Sequence, residues 1–310
     1  MSPPLAILSY HRVLPDTGPL AEGWPYVRRG TAVSLGSFAR QIEQLTRHCA
    51  LVDEATVCAW AHGQAELERP SVWLTFDDGY RDVVDHALPV LDASGVTATV
   101  FVTTCTLEAP PGALPADRWY AALTRARQSR GELAVNGSRW SFDLSQTDDR
   151  MRLVDGPERR HFLYASQDEQ ASILRALGHA LGGPTEPAAG LYLSGEALRR
   201  LVQRGWTVGA HGATHTPFPV LTSAALAAEF DDQESAFARH GLPRPTALAY
   251  PDAAWSAAAE AELTRRGYRT ALLLGDRRAQ KLPLRLGRFL VPDDPHWVQR
   301  VLLPALEGDG

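Results

Sequence analysis

Cysteine is scarce in this chain, whose 310 residues include only Cys49, Cys58 and Cys105. These three residues have no paired spacing, which argues against a disulfide framework and favours a reducing compartment. The N-terminal stretch MSPPLAILSYHRV lacks a charged leading segment, and its apolar run is too short for a signal peptide or a membrane span. We therefore predict a cytoplasmic protein without a membrane span, although removal of a leader would leave the same picture.

An excess of positive charge is also absent. The formal net charge of -5 comes from 31 basic and 36 acidic residues that are mixed along the chain. No basic stripe offers a surface that could follow a phosphate backbone, so nucleic acid is not an expected partner. The content of 45% hydrophobic and 22% charged residues is that of an ordinary globular protein, and no internal repeat is present.

Strand-like and helix-like runs alternate along most of the chain, which is typical of βαβ units and a parallel sheet. About seven such units are present, a number that favours a barrel over an open sheet. The strand-like runs are LAILSY, SVWLTF, TATVFVTT, WTVGAH, TALAYP, RTALLL and RLGRFLV. We therefore predict an α/β barrel that forms one domain over residues 1–310.

The alternation breaks between Cys105 and Gly190. This stretch contains a predicted hairpin in ELAVNGSRWSFDL, with Asn136-Gly137 at its turn, and a predicted helix near DEQASILRALGHALGG. Loops that follow barrel strands cover the active face of such folds. We therefore predict that residues 105–190 are an insertion, mostly helical, that acts as a lid and recognises substrate.

Trp119, Tyr120 and Trp140 lie in this insertion. Such rings stack on the faces of sugars, but at these spacings they also form the core of small subdomains. We take Trp119, Trp140 and, outside the insertion, Tyr250 as candidate substrate contacts. A large lid favours a small substrate, or the head of a larger one, while an exported form of the protein would leave a polymer surface open as the target.

Two adjacent carboxylates, Asp77 and Asp78, directly follow the strand-like run SVWLTF. Neighbouring anions repel each other, so in a low-dielectric site one of them must be protonated, hydrogen-bonded or bound to a cation. A pair on a solvated turn would need no such partner. The interpretation of the carboxylate pair therefore depends on which other residues the fold brings close to it.

His211 and His215 supply a partner in the stretch WTVGAHGATHTPF. Their spacing after a strand-like run aims both imidazoles at one point, and with one carboxylate they form a three-ligand metal site with an open position. Asp78 can be that carboxylate, which leaves Asp77 free to act on a water. Zn²⁺ is the expected cation, although these ligands also permit Co²⁺, Ni²⁺ or Fe²⁺.

TFDDGY and HGATH resemble the first two motifs of the polysaccharide deacetylase (NodB-homology) family, carbohydrate esterase family four. The segment LSGEALRRLVQRGWTVGAHGATH is similar to the family's approach to its histidine motif. The resemblance covers residues 5–104 and 190 to about 300, and it implies a distorted (β/α)7 barrel that removes N-acetyl groups from amino sugars. By position, the family's general base corresponds to Asp77 and its metal ligands to Asp78, His211 and His215.

The third motif of the family departs from its usual pattern here. In LAYPDAAW, Ala249 stands where the family has an arginine that orients the base, and Asp252 stands where it has a tyrosine whose N–H faces the oxyanion. Any residue except proline keeps that N–H, so Asp252 can still serve through its main chain. Its carboxylate could instead bind a substrate amine or hydroxyl, or cap the helix that begins near Ser256.

The general acid of the family has no recognisable match in RLGRFLVPDD. SYHRV resembles the opening of the branch that includes the biofilm polysaccharide deacetylases, in which an N-terminal histidine takes this role, and the resemblance implies His11 as the candidate acid. A histidine that is hydrogen-bonded in a strand-end loop is the alternative. Arg288 and Arg285, in the last predicted strand, are candidates to orient Asp77, or they pair with surface acids.

Three functional hypotheses follow. The first is a metal-dependent hydrolase that removes an acyl group, most readily acetyl, from a small-molecule or oligosaccharide amino sugar, glycoside or sugar-containing intermediate. The second is a catalytically silent carbohydrate-binding barrel, supported by the altered third motif alone. The third is a related metal hydrolase of a non-sugar amide or imide. The sequence indicates no oligomeric state.

Overall fold

A computed structural model describes residues 4–16, 23–135, 137–275 and 278–307. Its strands are numbered here in chain order. They are β1 (Leu5–Tyr10), β2 (Arg12–Leu14), β3 (Ala32–Ser34), β4 (Ala50–Leu51), β5 (Ser71–Phe76), β6 (Thr99–Val102), β7 (Arg130–Val135), β8 (Ser138–Asp143), β9 (Thr207–Ala210), β10 (Ala247–Ala249), β11 (Thr270–Leu274) and β12 (Leu286–Leu290).

Seven of these strands close into a parallel barrel. The neighbours run in the order β1, β12, β11, β10, β9, β6 and β5, and β5 pairs back onto β1. That closing pair is in register over six residues, from Leu5 opposite Ser71 to Tyr10 opposite Phe76. The short strand β4 adds to the start of β5, while β2 and β3 form a separate pair. The expectation of a (β/α)7 barrel is therefore confirmed.

Helices connect the barrel strands on the outside, and four of those described lie in the stretch between residues 105 and 190. The described helices are α1 (Trp24–Arg29), α2 (Leu35–His48), α3 (Glu54–Ala61), α4 (Leu88–Ala93), α5 (Pro115–Thr124), α6 (Thr147–Asp155), α7 (Pro157–Tyr164), α8 (Gln167–Leu181), α9 (Gly195–Gln203), α10 (Ser223–Arg239), α11 (Ala257–Arg266) and α12 (Leu303–Glu307). A π-helical turn precedes α4 and another precedes α12. Among the described helices, none is both long enough and apolar enough to cross a membrane.

Alternation along the strands divides the core into two layers. Ile7, Trp73 and Leu272 fill the barrel interior together with Trp60 of α3. The residues that alternate with them, such as Leu8 and Leu74, pack against the outer helices. The interior is so tightly filled that a Cβ at Gly209 would lie 2.4 Å from the ring of Phe101. The titratable groups Asp77 and Arg288 lie instead toward the carboxyl end of the strands, where the barrel opens.

Residues 105–190 fold around a core of their own beside the barrel. Helices α5 to α8 and the antiparallel hairpin of β7 and β8 contribute to this core. The predicted hairpin is present, while Asn136 of its turn lies outside the described residues. Four α-helices lie in this stretch, and it supplies part of the wall of the pocket at the carboxyl end of the barrel. Its action as a lid stays a prediction.

A buried carboxylate joins this insertion to the barrel. Asp117 of α5 is fully buried and accepts hydrogen bonds from three tyrosine hydroxyls, those of Tyr26 (2.7 Å), Tyr80 (2.8 Å) and Tyr192. Tyr80 follows barrel strand β5, Tyr26 belongs to α1, and Tyr192 lies where the chain returns from the insertion. The three hydroxyls thus bring separate parts of the chain together at one acceptor, which we call the Asp117 cluster.

Candidate active site

Asp77 and Asp78 lie at the carboxyl end of β5, and both are buried. The amide of Asp77 still follows the strand, donating a hydrogen bond of 2.9 Å to the carbonyl of Tyr10. Asp78 then leaves it, because its φ of 71° is incompatible with an extended chain. The two carboxylates can therefore take different partners although they are neighbours in sequence.

Asp78 meets the two histidines. Its Oδ1 lies 3.4 Å from Nε2 of His211 and 3.3 Å from Nε2 of His215. One ligand atom from each of the three residues lies within 4.8 Å of the other two. The Asp78 Oδ1 atom is buried without a hydrogen-bond partner among the described residues. A buried anionic oxygen that faces two imidazole nitrogens fits a divalent cation of the zinc type.

Main-chain contacts set the orientation of these ligands. Nδ1 of His211 donates to the carbonyl of Ala249 at 2.7 Å, which turns Nε2 toward Asp78. The loop that carries both histidines is fastened by α10, where Glu229 accepts hydrogen bonds of 2.8 Å from the amides of Ala213 and Thr214. The Gln233 side chain accepts a third from Gly212 at 2.7 Å. The loop is therefore held by hydrogen bonds that do not depend on a bound metal.

Asp77 is paired with Arg288 of β12. Two hydrogen bonds of 2.7 Å join the guanidinium to the two carboxylate oxygens, and Arg288 is only 1% exposed. Burial by itself would raise the pKa of Asp77, but the charge and hydrogen bonds of Arg288, together with the nearby His211 and His11, more than offset it, so that the pKa is lowered. Asp77 therefore remains a carboxylate and can accept a proton.

Of the two arginines that the last strand offered, only Arg288 reaches the base. Arg285 instead pairs with Glu260. Position 288 lies on the same face of β12 as Leu286, which packs in the barrel interior. The alternation of side chains along β12 could have identified Arg288 from the sequence. It places a guanidinium beside Asp77, although this chain has Ala249 where the resemblance implies an arginine.

His11 lies immediately after β1, next to the base. Its Nε2 is 4.0 Å from Oδ2 of Asp77, and its Nδ1 is buried without a partner in the described part of the chain. Burial lowers the pKa of His11, and the nearby charges of Asp77 and Asp78 oppose this effect without cancelling it. The register of β1 with β5 brings His11 and Asp77 together, while the role of His11 as the acid stays a prediction.

Asp252 lines the pocket within a short 3₁₀ turn, Pro251–Ala253. Helix α11 is capped by Ser256, whose hydroxyl accepts a hydrogen bond from the amide of Ala259, so the capping interpretation of Asp252 is wrong. The amide of Asp252 donates to no other backbone group that the structure describes. It is therefore available to a substrate atom, whereas the carboxylate of the same residue is hydrogen-bonded to Tyr164.

Left-handed backbone is concentrated at this site. Among the described residues, four that are not glycine have a positive φ, and all four line the pocket: Asp78, His215, Asp252 and Ala253. Such conformations cost free energy for residues with a Cβ and persist where surrounding contacts enforce them. The loops after β5, β9 and β10 are thus shaped by the requirements of the site.

The tryptophans predicted as substrate contacts do not line the pocket. Trp119 is fully buried in the core of the insertion, where its Nε1 donates to the carbonyl of Leu153 at 2.7 Å, so the sugar-stacking interpretation of this ring is wrong. Trp140 also packs against this core, edge-on to His161. Tyr250 does line the pocket, with its hydroxyl bonded to the carbonyl of Leu284.

Aromatic and basic side chains other than the two tryptophans line the pocket. Tyr26 and Arg29 come from α1, and Tyr120 and Arg159 come from the insertion. Tyr120 directly follows Trp119 in the sequence and belongs to the same buried core, but unlike Trp119 it also lines the pocket. The aromatic pattern alone could not distinguish the two, because both residues lie on the same helix.

Comparison with known proteins supports this description of the fold. A family model described as polysaccharide deacetylase matches residues 64–183 and 179–271. No curated protein matches the sequence. The fold is similar to that of the Streptococcus pyogenes deacetylase PplD in complex with acetate, with a TM-score of 0.65 and 15% identity over 99% of this chain and 100% of that one.

Two further solved structures share the fold. IcaB from Ammonifex degensii has a TM-score of 0.60 and 19% identity, covering 99% of this chain and 98% of its own. A de-N-acetylase from Aggregatibacter actinomycetemcomitans has a TM-score of 0.57 and 13% identity, covering 94% of this chain and 95% of its own. At these identities the similarity establishes the fold.

Proposed function

Because this chain belongs to the polysaccharide deacetylase family, we propose that it is a metal-dependent de-N-acetylase of an amino sugar. The observation that carries the proposal is the arrangement of Asp78, His211 and His215 beside a second carboxylate, Asp77, that Arg288 keeps ionised. A barrel that only bound carbohydrate would have no need for a clamped, ionised base next to a set of metal ligands. The acetyl group is proposed because the solved relatives include a de-N-acetylase and a deacetylase in complex with acetate.

The residues divide the chemistry of amide hydrolysis among them. Asp78, His211 and His215 would hold the cation, for which we propose Zn²⁺, and a bound cation supplies Lewis-acid polarisation of the water and the acyl carbonyl. Asp77 would take the proton of the attacking water. Arg288 keeps both oxygens of Asp77 in place, so the base needs no rearrangement before it acts.

Two further groups complete the proposed reaction. The amide of Asp252 would donate a hydrogen bond to the oxyanion, since no other backbone group in the described residues occupies it. His11 would give a proton to the leaving amine, and a lowered pKa makes its protonated imidazole a readier donor. Both groups lie in the wall of the same pocket as the metal ligands.

The test is the release of acetate from a panel of N-acetylated sugars and glycosides. We expect the zinc-loaded protein to release acetate, a chelator to abolish the release, and Asp77→Asn to abolish it while zinc content stays that of the wild type. Unchanged sugar bound by a metal-loaded but inactive protein would favour the carbohydrate-binding alternative. Hydrolysis confined to non-sugar amides or imides would favour the third hypothesis.

A further inference from the structure

Three arginines line the pocket that contains the metal ligands, and two of them have carboxylate partners. Arg288 is bound by Asp77, and Nε of Arg29 lies 3.2 Å from Oδ1 of Asp155. The third, Arg159 of α7, forms no hydrogen bond or ion pair with any residue that the structure describes. Its Nε is buried without a partner. The guanidinium of Arg159 is thus left without a carboxylate partner among the described residues.

The acids nearest to Arg159 in sequence are already in use. Glu158 is bound by Arg152, and Asp155 pairs with Arg29. The remaining contact of Arg159 is aromatic, since its guanidinium carbon lies 5.5 Å from the centroid of the Tyr120 ring, which also lines the pocket. Stacking of this kind restricts the guanidinium without satisfying its N–H donors.

We infer that Arg159 binds an anionic group of the substrate, a carboxylate or a phosphate, carried by the sugar whose amide is cleaved. The inference rests on the proposed function and specifies its substrate class. A guanidinium presents its N–H donors in a fork that matches both anions, and a partly buried donor without a partner gains most from such a ligand. Asp77 would not repel the anion, because Arg288 neutralises it.

The experiment compares a neutral substrate with two anionic ones. N-acetylglucosamine is the neutral probe, N-acetylglucosamine 6-phosphate carries the phosphate, and N-acetylmuramic acid carries the carboxylate. We expect wild-type kcat/KM to be higher for at least one anionic probe, and Arg159→Gln to lower that value roughly 10- to 100-fold, mainly through KM. The neutral probe should be cleaved equally by both proteins. The probe that responds distinguishes phosphate from carboxylate.

Two further variants separate recognition from folding. Arg159→Lys keeps the charge and should retain part of the preference for the anionic probe. Arg160→Gln changes the next residue, which is absent from the pocket wall, and should behave as the wild type. Equal use of neutral and anionic probes by the wild type would overturn the inference. An equal loss on all probes in Arg159→Gln would overturn it as well, because it would indicate a structural role.

A binding measurement keeps this inference distinct from the proposed function. Titration calorimetry with glucosamine and glucosamine 6-phosphate, and with muramic acid, needs no turnover. If no probe is hydrolysed, the proposed function fails, but tighter binding of an anionic amine that is lost in Arg159→Gln would still support the assignment. Equal binding of neutral and anionic amines by the wild type and the variant would overturn it.

Discussion

Arg288 reaches the proposed base from a strand more than two hundred residues further along the chain. Its two hydrogen bonds of 2.7 Å fix both oxygens of Asp77 inside the barrel, where neither side chain is solvated. A buried pair of this kind contributes little net stability, but removal of one partner leaves a charge that is costly to bury. At the scale of single residues, the pair therefore serves orientation more than stability.

Replacement of Arg288 by lysine tests this orientation. Arg288→Lys retains the charge but loses the forked geometry, so we expect kcat to fall by about 100-fold while zinc content is unchanged. Steady-state kinetics and metal analysis provide the measurement. Arg285→Lys is the matched control, because Arg285 pairs with Glu260 away from the pocket and should tolerate the change. A kcat for Arg288→Lys equal to that of the wild type would contradict the orienting role.

His11 allows a second prediction at this scale. If His11 protonates the leaving amine, His11→Ala should lower kcat on a sugar amide by roughly 10²- to 10⁴-fold, with normal zinc content. An aryl acetate ester, whose leaving group departs without a proton, should be hydrolysed by the variant at nearly the wild-type rate. Parallel assays of the two substrates give the answer, and an equal loss on both would exclude His11 as the acid.

At the scale of elements, α10 supports the histidine loop from outside the pocket. Glu229 and Gln233 accept three amide hydrogen bonds from residues between His211 and His215. The loop contains the left-handed His215, so its conformation needs enforcement. The position of the metal ligands thus depends on a helix that contributes no ligand itself.

Truncation of Glu229 should therefore weaken metal binding. We expect Glu229→Ala to lower zinc affinity roughly 10- to 100-fold, and Glu229→Gln, which keeps an acceptor, to lower it less. Competition with a chromogenic chelator measures the affinity. Glu234→Gln on the same helix is the control, since Glu234 pairs with Arg266 rather than with the loop. An unchanged affinity in Glu229→Ala would show that the loop keeps its shape without α10.

At the scale of the whole molecule, the Asp117 cluster unites the barrel, α1 and the insertion. All three hydroxyls converge on one buried acceptor, and burial raises the pKa of Asp117. Tyr26 and Tyr80 also line the pocket, so the cluster fixes part of the pocket wall. Attachment of the insertion and the shape of the pocket are thus linked through a single carboxylate.

Removal of that carboxylate should destabilise the protein as a whole. Asp117→Ala leaves three buried hydroxyls without their acceptor, and we expect a loss of about 3 kcal/mol, which corresponds to a decrease in Tm of about 5 °C for a chain of this length. Thermal unfolding followed by circular dichroism measures the change. Glu43→Gln, which removes only exposed ion pairs, should leave Tm nearly unaltered. A wild-type Tm for Asp117→Ala would show that the cluster contributes little to stability.

The sequence predicted the features that local patterns encode. Alternating strands and helices indicated the barrel, and two motifs indicated Asp77, Asp78, His211 and His215, which the fold brings together. Features that depend on long-range contacts were less accessible. The choice of Arg288 over Arg285 depends on the register of β12, and the burial of Trp119 depends on how the insertion packs. The Asp117 cluster combines parts of the chain that no local pattern connects.

Strands β5, β1 and β12 close the barrel, and their pairing also determines when the site is complete. Strand β1 pairs with both β5 and β12, so His11, Asp77 and Arg288 become neighbours only when the last strand is in place. Without β12, Asp77 would lack its counter-ion Arg288, and the barrel would remain open between β11 and β1. Closure of the barrel and pairing of the proposed base with its counter-ion therefore depend on the same strand.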